Sequence, residues 1–195
     1  MTYLALVRHG ETDWNRRGRL QGSSDIPLND TGRRQAGLAG IDLARKRWDL
    51  LVSSPLSRAG ETADIIGTHL GLERAATYPD LAERHFGEAE GSTGFEAYDR
   101  WPHGRYPGLE PRSEVRRRAL RTIDNLAREH PGSAIVIVTH GGVIRTVLDS
   151  LLTHRSPRIA NAGVSTLRHD GQRWVVGSIN GVAVADGSTL RQQSR

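Results

Sequence analysis

The chain has 195 residues, a hydrophobic fraction of 36% and a formal net charge of +5, the profile of one globular domain long enough to bury a core. It contains no cysteine, which excludes disulfides, thiolate catalysis and Cys-ligated zinc, and no apolar run approaches the roughly 18 residues that span a bilayer. Lys46 is the only lysine and the other 26 basic residues are scattered arginines, with no aromatic-basic motif to suggest nucleic acid as a partner.

The N-terminus carries no basic segment ahead of a long apolar stretch, so a cytoplasmic location is expected. Tyr3-Leu-Ala-Leu-Val7 reads as a strand buried on both faces. It runs into Arg8-His9-Gly10, and a loop follows to Asp30. A helix is expected over 31–47, with Ala36, Ala39, Gly40 and Leu43 on one face, and a short strand over 49–53. Ser54-Pro55 has the chemistry of an N-cap followed by proline at the first helical position, opening a helix to about Leu70.

Residues 74–112 hold four prolines and no long period. They read as a short strand and a loop-rich excursion with one helix near 95–101, a lid or substrate wall over 80–112. Ser113 then caps a helix to about Glu129, with Val115, Ala119, Thr122, Ile123 and Leu126 inward. Residues 134–139 form the second buried strand, and a helix follows from Gly141. Strands 164–169 and 173–179 alternate about Asp170-Gly171 as a hairpin. The expectation is a single domain over 1–186 and a flexible tail over 187–195. The fold class is α/β in three layers: a mostly parallel central sheet, helices on both faces and an antiparallel edge.

Both buried strands end in His-Gly, at Arg8-His9-Gly10 and at His140-Gly141-Gly142. Parallel strands bring the two imidazoles to one sheet edge, where an open α/β sheet builds its crevice. The helix from Gly141 aims its free N–H groups there, and Arg58 joins from the first turn after another strand. Two arginines, a histidine and a helix N-terminus suit a dianion and the equatorial oxygens of a transferring phosphoryl group. A deprotonated histidine is then a competent phosphoryl acceptor.

Arg8-His9-Gly10-Glu11-Thr12 with Asn15, Ser53-Ser54-Pro55-Leu56-Ser57-Arg58-Ala59 with Glu61-Thr62-Ala63, Glu83-Arg84-His85-Phe86-Gly87 with Glu90-Gly91, and Thr139-His140-Gly141-Gly142 resemble the histidine phosphatase superfamily, phosphoglycerate mutase-like branch. The resemblance runs from residue 3 to about 179, with the motifs in family order. It implies that His9 is the phosphorylated nucleophile and that Arg8, Arg58, His140 and the Gly141 N–H grip the phosphoryl group. Asn15 would add a hydrogen bond, and Gln21-Gly22 would close the loop over the phosphate. Glu83 would protonate the leaving oxygen and then activate water; Glu88 and Glu90 lie nearby, and a plain surface acid is the alternative reading of any of the three. No metal and no cofactor are implied.

The resemblance leaves three activities open: a metal-independent phosphatase for a small phosphomonoester, a 2,3-bisphosphoglycerate-dependent phosphoglycerate mutase, and a catalytically idle phospho-ligand binding module. Mutases of the family carry a longer insertion after the acid, with a lysine and paired arginines. Here the stretch has no lysine, and Arg100, Arg105 and Arg112 are unpaired, which favours hydrolysis. Arg84, Trp101, His103, Arg105, Tyr106 and Arg112 are candidates for the substrate-specificity wall. The partner expected is a small phosphorylated metabolite, with neither nucleic acid nor membrane; a homodimer stays open. Other readings fail on missing parts. His9-Gly10-Glu11 lacks the cysteine pair of a zinc deaminase, and His140-Gly141-Gly142 lacks a Gly-x-Ser-x-Gly elbow.

Overall fold

The computed structural model describes residues 1–185; the expected tail over 187–195 lies outside them. A seven-stranded sheet organises the chain, made of β1 (Thr2–Arg8), β2 (Leu50–Ser53), β3 (Ala76–Thr77), β4 (Ala134–Thr139), β5 (Val164–His169), β6 (Trp174–Ile179) and β7 (Val182–Ala183). Its order is β3-β2-β4-β1-β5-β6-β7. The pairs β1–β4, β2–β4 and β2–β3 are parallel, and β5, β6 and β7 add an antiparallel edge. This is the mostly parallel α/β sheet the pattern called for.

The central strands are apolar on both faces because helices cover both. Leu4, Leu6, Ile135 and Ile137 pack into one core with α5 (Arg112–Glu129) and α6 (Gly141–Leu151). The alternate residues Ala5, Val7, Val136 and Val138 pack into a second core, against α2 (Asp30–Leu43) and α3 (Ser57–Leu70). Strict alternation of side chains along each strand divides one apolar run between two layers. Trp174 fastens the hairpin to α5 through its indole N–H on Asp124, 2.8 Å.

Several boundaries shift for identifiable reasons. The helix expected to reach residue 47 ends at Leu43, where the indole of Trp48 donates to the Leu43 carbonyl at 2.8 Å. Ser54 does not cap α3; Leu56 is the N-cap residue, and the Ser54 hydroxyl instead takes the Leu56 N–H at 3.3 Å, ahead of the helix, and meets His140. Helix α5 opens at Arg112 with Pro111 as its cap residue, two residues ahead of the expected cap Ser113. A four-residue helix, α1 (Asp13–Arg16), sits inside the expected loop, closed by a Thr12–Asn15 capping box. The excursion holds the helix anticipated there as α4 (Gly94–Arg100).

Candidate active site

The four parallel strands share a direction, so their carboxyl ends meet at one edge. Arg8 and His9 leave β1, and His140 leaves the adjacent β4, in register at Arg8–Thr139. The two imidazoles therefore lie side by side, ring centroids 5.1 Å apart. Arg58 follows β2 in the first turn of α3, and Glu83 follows β3.

His9 is buried, and its Nδ1 lies 2.7 Å from the Gly10 carbonyl. A carbonyl only accepts, so Nδ1 carries the proton and Nε2 keeps its lone pair. Burial, with Arg58 and Arg8 close by, holds the pKa of the ring well below the usual histidine value. Gly10 is fixed from two sides. Its N–H donates to Thr62 Oγ1 at 3.0 Å, and a Cβ on it would run into the Gly32 carbonyl, so the loop packs backbone to backbone on α2.

Arg58 is fully buried, with Nη1 and Nη2 donating to the carbonyls of Ser24 and Gly22 at 2.9 and 2.8 Å. Burial pulls it down to about 10, with Glu83, Asp25 and Glu90 opposing, and it stays a cation at neutral pH. Arg8 is anchored through Nη1 on Ile159 O at 2.8 Å. His140 Nε2 lies 2.7 Å from Ser54 Oγ, and burial followed by Arg58 again depresses its pKa. Arg8 Nε, Arg58 Nε and His140 Nδ1 are buried without a partner among the described residues. Buried polar atoms are ordinarily satisfied, so three of them converging beside one neutral imidazole mark a floor built for an anion.

Glu83 faces this floor from the far strand. Its carboxylate accepts from the backbone N–H of Arg84 at 2.8 Å and of Gly142 at 3.1 Å, tying the acid to the first turn of α6. A Cβ on Gly142 would meet Glu83 Oε1, so glycine there lets the carboxylate lie against the helix and a larger residue would push it aside. The Glu83 segment is itself held by Arg118 on α5, which donates to the carbonyls of Asp80 and Ala82, both at 2.6 Å, and of Glu83 at 3.2 Å. The same guanidinium grips the Glu110 carboxylate at 2.8 and 3.0 Å.

A crevice of about 340 Å³ opens above the floor. Of the residues singled out in the sequence, Arg8, His9, Asn15, Gln21, Glu83, Arg84, Arg112 and Gly141 line it. Arg58 and His140 sit fully buried behind the wall. Gln21 Oε1 takes hydrogen bonds from Thr12 Oγ1 at 2.7 Å and Asn15 Nδ2 at 3.2 Å, which sets the orientation of both amides. Gly22 is not in the lining; its carbonyl positions Arg58 and its N–H meets Glu90 at 3.1 Å. Glu90, which also accepts from Ser23 and from the Ser24 N–H, is thus committed to shaping the loop.

Trp101, His103, Arg105 and Tyr106 are not among the lining residues. Trp101 and Tyr106 stack edge to face at 5.6 Å, Arg100 lies over the Trp101 ring, and His103 and Arg105 are exposed. These aromatics pack on one another rather than over the crevice. Arg19, Arg145 and Arg158 do line it. Nothing in their local sequence marks them, because an isolated arginine on a helix or loop reads as surface. Among the described residues no group of three or more His, Cys, Asp or Glu is placed to hold a metal ion, and no helix is long and apolar enough to cross a membrane.

Fold and site together define an α/β protein with an arginine-lined crevice at its parallel strand ends. Comparison with known sequences adds the family: a sequence model of the histidine phosphatase superfamily (branch 1) matches residues 4–181, and the chain belongs to that superfamily. The uncharacterized phosphatase PhoE of Bacillus subtilis (strain 168) is 37% identical over 184 residues, spanning 92% of this chain and 95% of that protein. A metal-independent phosphoserine phosphatase of Arabidopsis thaliana is 31% identical, over 94% of this chain and 83% of its own. Among solved structures, a mycobacterial glucosyl-3-phosphoglycerate phosphatase in complex with VO3 superposes with a TM-score of 0.84 at 30% identity, covering 91% of this chain and 98% of that one.

Proposed function

We propose that the protein is a metal-independent phosphomonoesterase that works through a phosphohistidine at His9. The observation that carries this reading is the state of His9: a neutral ring, proton on Nδ1, with Nε2 free beside a floor of unpartnered donors, two from arginines and one from the neutral His140. Arg8, Arg58, His140 and the N-terminus of α6 take the phosphoryl oxygens and compensate their charge. Nε2 attacks phosphorus in line, the ester P–O bond breaks, and protonated Glu83 gives its proton to the departing alkoxide. A water then attacks the phosphorus of phospho-His9, Glu83 takes the proton, and the P–N bond breaks to release phosphate. Asn15 and Gln21 fix the near side of the bound group.

The lysine-free stretch between Glu83 and Arg112 supports hydrolysis over transfer; the relatives include phosphatases and probable phosphoglycerate mutases alike. The test is phosphate release from p-nitrophenyl phosphate and a panel of alkyl phosphomonoesters in EDTA, with His9→Ala as control. Release that survives EDTA and collapses by at least about a thousandfold in His9→Ala is expected. Turnover abolished by EDTA removes metal independence, and an active His9→Ala protein removes the nucleophile. Interconversion of 2- and 3-phosphoglycerate on addition of the bisphosphate, with negligible phosphate release, would make the protein a mutase.

A further inference from the structure

Six arginines line the crevice, Arg8, Arg19, Arg84, Arg112, Arg145 and Arg158, against the single carboxylate of Glu83. That carboxylate is spent on the N–H groups of Arg84 and Gly142. Elsewhere ten arginines hold an aspartate or glutamate; none of the six does so among the described residues. Arg8, Arg19 and Arg84 at least donate to backbone carbonyls, of Ile159, Gly91 and Glu110. Arg112, Arg145 and Arg158 have no side-chain acceptor at all among the described residues.

Arg145 is the most telling of the three. Only four buried side-chain polar atoms of the described residues lack a partner; three belong to the phosphoryl floor, and the fourth is Arg145 Nε. Arg145 sits one turn along α6 from Gly141, on the side that faces the crevice. Arg112 opens α5 opposite, close enough to Arg84 to depress its pKa after burial has done so. Arg158 precedes Ile159, whose carbonyl anchors Arg8, and its charge is felt by Arg8. The cationic lining therefore runs from the floor outward along the α6 side. Arg8, Arg58 and a helix N-terminus already match one phosphoryl dianion, and three further unpaired guanidiniums exceed what that group can neutralise. Like charges on a concave, partly desolvated wall repel one another, and an anion seated between them relieves this.

We propose that Arg112, Arg145 and Arg158 form a second anion subsite, and that the substrate is a phosphomonoester whose alcohol part carries its own anion, a carboxylate or a second phosphoryl group. The proposal rests on the phosphatase reading and adds the chemistry of the leaving group. It is tested by binding, without turnover. The full-length His9→Ala protein is titrated calorimetrically with two matched pairs. 3-Phosphoglycerate against glycerol 3-phosphate reads a carboxylate; fructose 1,6-bisphosphate against fructose 6-phosphate reads a second phosphoryl group. At least one anionic member should bind about tenfold tighter than its neutral counterpart, the scale of a charge-assisted hydrogen bond. Adding Arg145→Gln should reduce that preference to about threefold or less, Arg145→Lys should keep part of it, and Arg173→Gln on the distant hairpin should leave it intact.

Equal affinities within both pairs, or a preference that survives Arg112→Gln, Arg145→Gln and Arg158→Gln alike, would overturn the subsite. Arg145→Lys, with melting curves for every variant, keeps the test valid if the glutamine form is poorly folded. Failure of the phosphatase reading looks different: His9-dependent phosphate release is missing while the binding preference remains.

Discussion

At the scale of single residues, the site is held in a state that costs stability until a ligand arrives. His9 and His140 are neutral because burial first, and Arg58 next, hold their pKa values well below the ordinary one. In the unfolded chain each titrates near ~6.5. Below that pH the unfolded state takes up protons that the folded state refuses, so their contribution is complete above about pH 7 and is lost as pH falls towards the folded values. Each ring should add a slope of up to about 1.4 kcal/mol per pH unit. Denaturant melts between pH 8 and pH 5 should show this slope, and His140→Asn should remove about half of it. An unchanged slope in that variant would mean that the ring is not kept neutral.

The unpartnered donors of Arg8, Arg58 and His140 lead to a second expectation. Inorganic phosphate at about one hundred times its Kd should stabilise the fold by about 2.7 kcal/mol, a Tm rise of roughly 5–11 °C for a chain of this size. The same measurement on Arg58→Ala should show little rise. Gly142→Ala separates the acid from the floor. Its Cβ would strike Glu83 Oε1, so alkyl ester turnover should fall by an order of magnitude or more, while phosphate still raises Tm.

At the scale of elements, Arg8, His9, Arg58 and His140 all lie at the end of a strand, just beyond one or in the first turn of a helix, and Glu83 is the exception. It lies on an irregular segment after a two-residue strand, and its placement is imposed from α5 by Arg118. Removing that guanidinium leaves the carbonyls of Asp80, Ala82 and Glu83 without their donor and parts a pair with Glu110 that is largely shielded from solvent. Arg118→Ala should lower stability by about 1–3 kcal/mol. It should also slow the cleavage of alkyl phosphates far more than the burst of p-nitrophenolate from p-nitrophenyl phosphate, a leaving group that needs no proton. Equal slowing of both would reduce Arg118 to a structural role. Arg118→Lys should restore the alkyl rate only in part, since one ammonium cannot serve three carbonyls and a carboxylate.

Legibility in the sequence followed the range of the interactions. Strand β4 and the start of α6 are readable to the residue because an apolar run broken by His-Gly-Gly is a local signal. Ser54 reads as a helix cap, yet its hydroxyl takes an N–H one step ahead of the helix and also serves a histidine 86 positions away, which no local pattern shows. Arg118 was invisible for a similar reason, its partners being backbone carbonyls 35 to 38 residues distant.

At the scale of the whole molecule, the two-sided core places four parallel strand ends at one edge, and that edge collects the charge. Sequence reasoning recovered the sheet class and the floor of the site, since both rest on short motifs at βα junctions. It did not recover the outer wall. The excursion's aromatics were expected there, yet Trp101 and Tyr106 pack on each other, and the wall is built instead from α5, α6 and the segment before β5. Which of several surface arginines turn inward is decided by helix packing, which no local pattern encodes.

The central claim is that His9 carries the phosphoryl group, and trapping it tests that claim most directly. Glu83→Gln is mixed with labelled p-nitrophenyl phosphate, denatured in alkali, where a phosphoramidate survives, and mapped by peptide mass spectrometry. A stoichiometric burst of p-nitrophenolate with the phosphoryl group on the His9 peptide, absent from His9→Ala, is the predicted result. A burst with no phosphoprotein, or a phosphoryl group on any other residue, would contradict the account.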